Sequence, residues 1–119
     1  MSTVQEMLIL RAKWLAALES DEYEQCTGTL AREDAVCPLG LAQKMIIKSG
    51  VKIPPPYKCA NGSFYHHSLN IEVIGKHLGL KSDAVTQIIQ MNDGFRMSFK
   101  GIAAVIRNAP EEFFDDFSH

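Results

Sequence analysis

Apolar residues recur at the spacing of an α-helix along most of this 119-residue chain, and glycines and prolines separate the successive segments. A helix with one apolar side must bury that side against another element, so the pattern predicts a mainly α fold. We expect a compact bundle of about five helices in one domain over residues 1–109. A short acidic and aromatic element follows at residues 110–119.

The first helix is predicted over residues 4–19, where Thr3 begins a capping box. Its apolar stripe consists of Val4, Met7, Leu8, Leu15 and Leu18. Trp14 widens the stripe and is expected in the core, since an aromatic side chain on such a face is usually buried. Arg11 and Lys13 interrupt the apolar face, and both are expected to point toward solvent.

Four more helices are predicted from residues that start or stop helices. The second begins at Pro38, which suits the first helical position, and ends before Gly50. The third helix is expected to end at Gly79. The fourth is expected to begin after Ser82 and to end at Asn92-Asp93-Gly94, and the fifth to begin after Ser98.

Extended structure is predicted at three places. Asn61-Gly62 is the strongest turn signal in the chain, and it predicts one small β-hairpin near residues 57–66. Short extended pieces are also expected around residues 27–31 and 35–37.

Charge is distributed unevenly along the chain, although the formal net charge is only −2. Residues 44–107 carry nine basic and three acidic side chains, whereas residues 1–43 and 108–119 are acidic overall. The basic middle could attract a polyanion, or the acidic ends could fold over it and neutralise it.

The cellular location is predicted from apolar runs and cysteines. No apolar run approaches the roughly 20 residues that span a bilayer. Three cysteines at irregular spacing do not suggest a disulfide framework. We therefore expect a cytoplasmic protein with free thiols and no membrane partner.

Catalytic motifs such as a phosphate-cradling glycine loop, His-Glu-x-x-His or Gly-x-Ser-x-Gly do not occur in the sequence. We therefore expect a protein that is not an enzyme and has no cofactor. The side chains that could ligate zinc are Cys26, Cys37, Cys59, His66, His67 and His77. Because no Cys-x-x-Cys pair occurs among them, no metal site is predicted, and the sequence leaves open whether any of them binds a metal.

Residues 71–90 match the pattern of a helix-turn-helix. Gly75 would let two helices cross closely, and residues 82–90 would form the recognition helix. In this interpretation Thr86, Gln87 and Gln90 read bases, and Lys76 and Lys81 bind phosphates. The same pattern fits a helical hairpin packed in a core, and no Arg or Lys follows Lys81 in the recognition helix.

The C-terminal element combines three phenylalanines with four acidic residues. It is a candidate motif for docking into a basic, apolar groove on a partner protein. Its candidate partner-binding residues are Phe113, Phe114, Phe117, Glu112 and Asp115. Alternatively, Phe113 and Phe117 lie one helical turn apart and fold back onto the domain.

Two separated groups of residues form sequence signatures. The first contains Trp14, Ala17, Leu18, Ser20, Tyr23, Gln25, Gly28 and Leu30, followed by Cys37-Pro38-Leu39-Gly40. The second contains Met91-Asn92-Asp93-Gly94, Ser98-Phe99 and Ile102-Ala103. They resemble the patterns W-x-x-A-L-x-S-x-x-Y-x-Q-x-x-G-x-L, C-C-L-G, L-N-D and S-F-x-x-I-A of a family of short bacteriophage and prophage proteins. The resemblance implies a single domain of phage type and brings no activity with it.

A host-directed accessory role is what this resemblance implies. We expect a non-enzymatic binding protein that acts on a host or phage macromolecule in the host cytoplasm. Inhibition of a bacterial defence system such as a CRISPR effector is one example. The alternative is a helix-turn-helix DNA-binding regulator that uses residues 71–90. The sequence leaves the partner and the oligomeric state open, with a dimer among the options.

Overall fold

A computed structural model describes residues 4–28, 31–32, 35–50 and 68–115 of the chain. These residues are mainly helical, as the apolar spacing predicts. In chain order the elements are α1 (Val4–Glu19), β1 (Ala31–Arg32), β2 (Ala35–Val36), α2 (Pro38–Lys48), α3 (Ser68–Leu78), α4 (Ser82–Ile89), a π-helical turn (Gln90–Gly94), α5 (Phe99–Asn108) and α6 (Pro110–Phe113). α1 packs against α2, α3 and α5, and α6 packs against α4 and α5.

A small β structure connects α1 to α2. The strands β1 and β2 pair antiparallel, with Ala31 opposite Val36. Gln25 forms an additional, parallel bridge with Val36. β2 confirms the extended piece predicted at residues 35–37. The hairpin predicted near residues 57–66 lies outside the described residues.

Local capping chemistry determines several helix ends. Cys37 precedes α2, and its Sγ accepts a hydrogen bond from the Gly40 backbone N–H at 3.3 Å. Gly50 follows α2 with a φ of +93°, as predicted for a left-handed helix end. Ser98 precedes α5, and its hydroxyl oxygen accepts from the Gly101 N–H at 3.0 Å, which confirms the predicted cap.

The predicted cap of α4 is wrong by one residue. Lys81 occupies the position before the helix, its side chain makes no capping hydrogen bond, and Ser82 is already helical. The helical run continues from α4 into the π-helical turn and ends at Gly94, within the predicted Asn92-Asp93-Gly94. The change to π-helical geometry was not predicted, and in this turn the Asn92 side chain makes hydrogen bonds inside the protein instead of a local cap.

Trp14 lies in the core, as expected. Its side chain is fully buried, and its Nε1 donates a hydrogen bond of 2.8 Å to the Pro38 carbonyl oxygen. Among the described residues, the largest fully buried side chains are Trp14, Leu18, Leu39, Leu41, Ile46, Ile74, Leu78, Ile88, Ile102 and Ile106. They come from α1 to α5, so one core joins these five helices. Within the described ranges, no helix is long and apolar enough to cross a bilayer.

Arg11 does not point toward solvent, and this expectation is wrong. Only 6% of its surface is exposed, whereas Lys13 is exposed as predicted. The Arg11 Nε donates to the Leu78 carbonyl oxygen at 3.1 Å, and its guanidinium carbon lies 3.9 Å from the centre of the Phe114 ring. Both partners come from distant parts of the chain, so the residue pattern of α1 alone could not indicate them.

Candidate functional site

The two sequence signatures meet at Asn92, which is fully buried in the π-helical turn. Its Nδ2 donates to the Cys26 carbonyl oxygen at 2.9 Å, and its Oδ1 accepts from Gln25 Nε2 at 2.7 Å. Asp93 extends the contact, since its Oδ1 accepts from the Gly28 backbone N–H at 2.9 Å. Leaving buried polar groups unpaired is unfavourable, so these bonds hold the segment after α1 against the π-helical turn.

Residues 90–97, which we call the Phe95 turn, reverse the chain before α5. The Phe95 N–H donates to the Gln90 carbonyl oxygen at 3.0 Å. Gln25 Nε2 donates to the Met97 carbonyl oxygen at 2.6 Å and ties this reversal to the segment after α1. Arg96 has a φ of +53°, a left-handed conformation that costs a non-glycine residue about 1 kcal/mol or more. Strained residues and π-helical insertions are both frequent at functional sites.

Phe95 presents its ring to solvent on this turn. It is 76% exposed, more than the other large exposed hydrophobic side chains in the described ranges, which are Val4, Ile9, Ile47 and Val105. Arg96 beside it is also exposed, and it makes no ion pair with a described residue. Aromatic residues and arginine are enriched in protein–protein interfaces, so the pair is a candidate contact surface.

The sequence does not indicate that Phe95 is exposed. Phe95 lies four residues before Phe99 and seven residues after Ile88, so helical spacing places it on the apolar stripes of both flanking helices. Only the chain reversal after the π-helical turn brings the ring into solvent.

Ion pairs connect the acidic end of α1 to α5. Arg107 donates from Nε and Nη2 to the two Glu19 carboxylate oxygens at 2.6 and 2.9 Å. Lys100 Nζ lies 2.7 Å from Asp21 Oδ2. The hydrogen bond from Arg107 holds the pKa of Glu19 below its ordinary value, and the same bond raises the pKa of Arg107. The acidic N-terminal part thus neutralises part of the basic middle.

The segment predicted as a helix-turn-helix forms two closely packed helices, α3 and α4. A Cβ on Gly75 would lie 3.1 Å from Val85 Cγ2, which confirms that this glycine permits the close crossing. The predicted contact residues Lys76, Thr86, Gln87 and Gln90 are exposed. Lys81 is engaged elsewhere, since its Nζ donates to the Glu111 carbonyl oxygen at 2.7 Å. Asp83 is exposed at helical spacing from Thr86 and Gln87, so it places a negative charge on the same face.

The C-terminal element packs onto the domain as far as the structure describes it. Phe113 and Phe114 are 3% and 4% exposed, so both rings belong to the core. Glu112 is exposed and Asp115 is partly buried, whereas Phe117 lies outside the described residues. Docking of the two buried rings into a partner would require the element to leave the domain. Their role in partner binding stays a prediction.

Cys26 and Cys37 carry buried thiols. Burial raises the pKa of the Cys37 thiol to about 12. Among the residues that the structure describes, no group of three or more His, Cys, Asp or Glu side chains is arranged to hold a metal ion. Cys59, His66 and His67 lie outside those residues, so the question of metal binding at these positions stays open.

Comparisons of the chain with protein-family models, curated proteins and solved structures gave no match. The resemblance of the two signatures to phage and prophage proteins therefore stays a prediction. The candidate site rests on geometry: residues of both signatures meet at Asn92 and support the turn that exposes Phe95.

Proposed function

We propose that this protein is a non-enzymatic binding module that holds a partner protein through the Phe95 turn. The observation that carries the proposal is the exposed Phe95 ring on a backbone held by hydrogen bonds. Full burial of such a side chain by a partner contributes about 1.5–3 kcal/mol. This corresponds to roughly a 10- to 150-fold gain in affinity.

The hydrogen bonds around the turn support the proposal because they leave little backbone to be ordered on binding. Asn92 and Gln25 hold the two segments together before any partner arrives. A preorganised anchor avoids the entropy loss that ordering a mobile loop would cause. Arg96 adds a guanidinium that can donate two parallel hydrogen bonds to a carboxylate of the partner.

The proposed partner class is a host or phage macromolecule in the bacterial cytoplasm. The resemblance to phage proteins supports this choice, since signature residues Gln25, Gly28, Asn92 and Asp93 build the support of the Phe95 turn. A host-directed accessory role follows from that origin. Inhibition of a defence system such as a CRISPR effector is the first example to test.

Partner capture is the direct test of the anchor. The tagged chain, Phe95→Ala and Ile9→Ala serve as baits in bacterial lysate. Ile9→Ala is the matched control because it also truncates an exposed apolar side chain. We expect the wild-type chain and Ile9→Ala to capture the same complex, and Phe95→Ala to capture at least about 10-fold less of it. Equal capture by all three baits excludes the Phe95 turn as the anchor.

The defence role needs its own assay. Bacteria whose CRISPR effector targets an infecting phage are challenged with and without expression of this chain. We expect plaque counts to rise with the wild-type chain and to stay low with Phe95→Ala. Unchanged counts with the wild-type chain rule out inhibition of that effector, while partner capture is judged on its own result.

DNA binding by α3 and α4 is the second candidate function. The favouring observation is the close crossing at Gly75 together with the exposed face that contains Thr86, Gln87 and Gln90. The negative charge of Asp83 on that face opposes it. A gel shift with duplex DNA at low and moderate salt is the test, because phosphate binding weakens steeply as salt rises. Absence of a shift at low salt excludes this function.

A further inference from the structure

Two of the three cysteines are brought together by the short strand pairing between α1 and α2. Gln25 and Val36 form a parallel bridge. The Cys26 N–H donates to the Val36 carbonyl oxygen at 3.0 Å, and the Val36 N–H donates to the Glu24 carbonyl oxygen at 2.9 Å. The next residue along each segment is a cysteine, and Cys37 keeps an extended backbone with φ −87° and ψ 172°. Cys26 and Cys37 are therefore the residues that directly follow this single parallel bridge.

Extending the parallel register by one residue places the Cys26 and Cys37 side chains on the same side of the pairing. Side chains in register on adjacent strands share a face, and the strands lie about 4.7–4.9 Å apart. That spacing falls within the Cα separation of about 4.4–6.8 Å that a disulfide bridges. Both side chains are buried, and the electrostatic influence of Cys26 on Cys37 is consistent with their proximity.

We propose that Cys26 and Cys37 form a site of reversible oxidation, where hydrogen peroxide converts the two thiols into a disulfide. Cys26 reacts first, because it is 8% exposed and Cys37 is 1% exposed. The raised pKa of Cys37 also makes it the poorer first nucleophile.

The reaction proceeds in two balanced steps. The Cys26 thiolate attacks one peroxide oxygen, which breaks the O–O bond and gives a sulfenic acid; the other oxygen leaves as hydroxide and takes up the thiol proton to become water. The Cys37 sulfur then attacks the sulfenic sulfur, and its proton leaves with the hydroxyl group as a second water. One peroxide is reduced, and two thiols are oxidised to one disulfide. A reducing thiol reverses the bond by exchange.

The cross-link would close a loop over residues 26–37 beneath the Phe95 turn, since the Cys26 carbonyl oxygen accepts from Asn92. Closing a loop of this length restricts the unfolded chain more than the folded protein. We expect the oxidised protein to melt roughly 10 °C higher than the reduced protein.

Peptide mapping of the folded full-length chain tests the site. The protein is treated with hydrogen peroxide, alkylated and digested without reductant. We expect a linked peptide pair that contains Cys26 and Cys37, lacks two hydrogen atoms and separates on reduction. Cys59→Ser is the matched control and should form the same link. Cys26→Ser should lose both the link and the rise in melting temperature.

The mapping on the wild-type chain alone decides the outcome, even if Cys26→Ser fails to fold. Recovery of Cys26 and Cys37 as separate alkylated or over-oxidised peptides would overturn the proposal. A link from either residue to Cys59 would overturn it as well.

Discussion

Arg11 is a buried cation that groups from other parts of the chain hold in place. Its Nε donates to the Leu78 carbonyl oxygen, and the Phe114 ring lies against its guanidinium. Its Nη2 makes no hydrogen bond with a described residue. Burial lowers the pKa of Arg11, and the charge of Asp115 partly opposes that shift. The side chain therefore links α1, α3 and the C-terminal element, although its charge is incompletely compensated.

Arg11→Ala removes both the packing of the aliphatic stem and the buried cation. We expect it to lower the free energy of unfolding by about 2–4 kcal/mol. Arg11→Met keeps most of the volume and removes the charge, so its loss should be roughly half as large. Urea unfolding measures both variants, and the exposed Lys13→Ala should stay within about 0.5 kcal/mol of wild type. A loss for Arg11→Ala no larger than that control would show that the buried side chain makes no net contribution.

At the scale of secondary-structure elements, some helix ends are determined by nearby residues and others by residues far away in the sequence. Ser98 caps α5 from three residues away, and such a cap is predictable because both partners lie in one short segment. The π-helical turn after α4 was not predictable, because its residue Asn92 bonds to Cys26, which is 66 residues away. Phe95 and Arg96 depend on that same contact for their positions. Local periodicity thus predicted the fold class, whereas the candidate site needed tertiary contacts that no local pattern contains.

Gly79 forms the turn between α3 and α4 with a φ of +70°. A Cβ there would lie 2.5 Å from Arg11 Nη2 and 2.6 Å from Met7 Sδ. We expect Gly79→Ala to lower the free energy of unfolding by about 2 kcal/mol, since shifting the ends of the flexible Arg11 and Met7 side chains adds a modest cost to the backbone strain. Gly28→Ala is the matched control, because Gly28 has a φ of +81° and no described atom within 4 Å of a Cβ.

Thermal melts of the two glycine variants separate the effect of backbone strain from the effect of steric overlap with the Arg11 and Met7 side chains. Gly28→Ala should show only the strain of a left-handed residue, about 1 kcal/mol. If both variants lose the same stability, the close approach of α1 to the turn does not contribute in solution.

The ion pair between α1 and α5 predicts a pH dependence of stability. The hydrogen bond from Arg107 lowers the pKa of Glu19 in the folded protein. Its contribution is therefore fully present above the unfolded pKa of about 4.3 and is lost as pH falls through the lowered folded value. The effect should be small, because both side chains are about half exposed and water screens them.

Urea unfolding of Glu19→Gln against wild type checks this dependence. The difference in unfolding free energy should be largest near neutral pH and vanish in strong acid, as the Glu19 carboxylate is protonated. Glu22→Gln removes a neighbouring exposed carboxylate and should show a smaller difference at neutral pH. A Glu19→Gln difference that does not change with pH contradicts the pairing.

At the scale of the whole molecule, the aromatic side chains within the described ranges are buried or partly buried, except for Phe95 on its exposed turn. The C-terminal element covers the turn between α3 and α4, where the Lys81 N–H donates to the Phe113 carbonyl oxygen at 2.9 Å. The Asp115 N–H donates to the Gly79 carbonyl oxygen at 2.8 Å. Composition predicts that such an element is amphipathic, but it cannot distinguish burial on its own domain from burial on a partner. Only the assembled fold shows which surface receives its rings.

Two phenylalanines of opposite exposure distinguish core packing from partner binding. Phe114→Ala should lower the free energy of unfolding by about 3–4 kcal/mol, because it removes a buried ring. Phe95→Ala should change stability by less than about 0.5 kcal/mol and reduce partner capture at least about 10-fold. Both quantities are measured on the same preparations, under conditions where urea unfolding shows that both variants are folded. If folded Phe114→Ala loses capture and Phe95→Ala keeps it, the C-terminal element holds the partner, and the docking role predicted for Phe113 and Phe114 replaces the Phe95 turn.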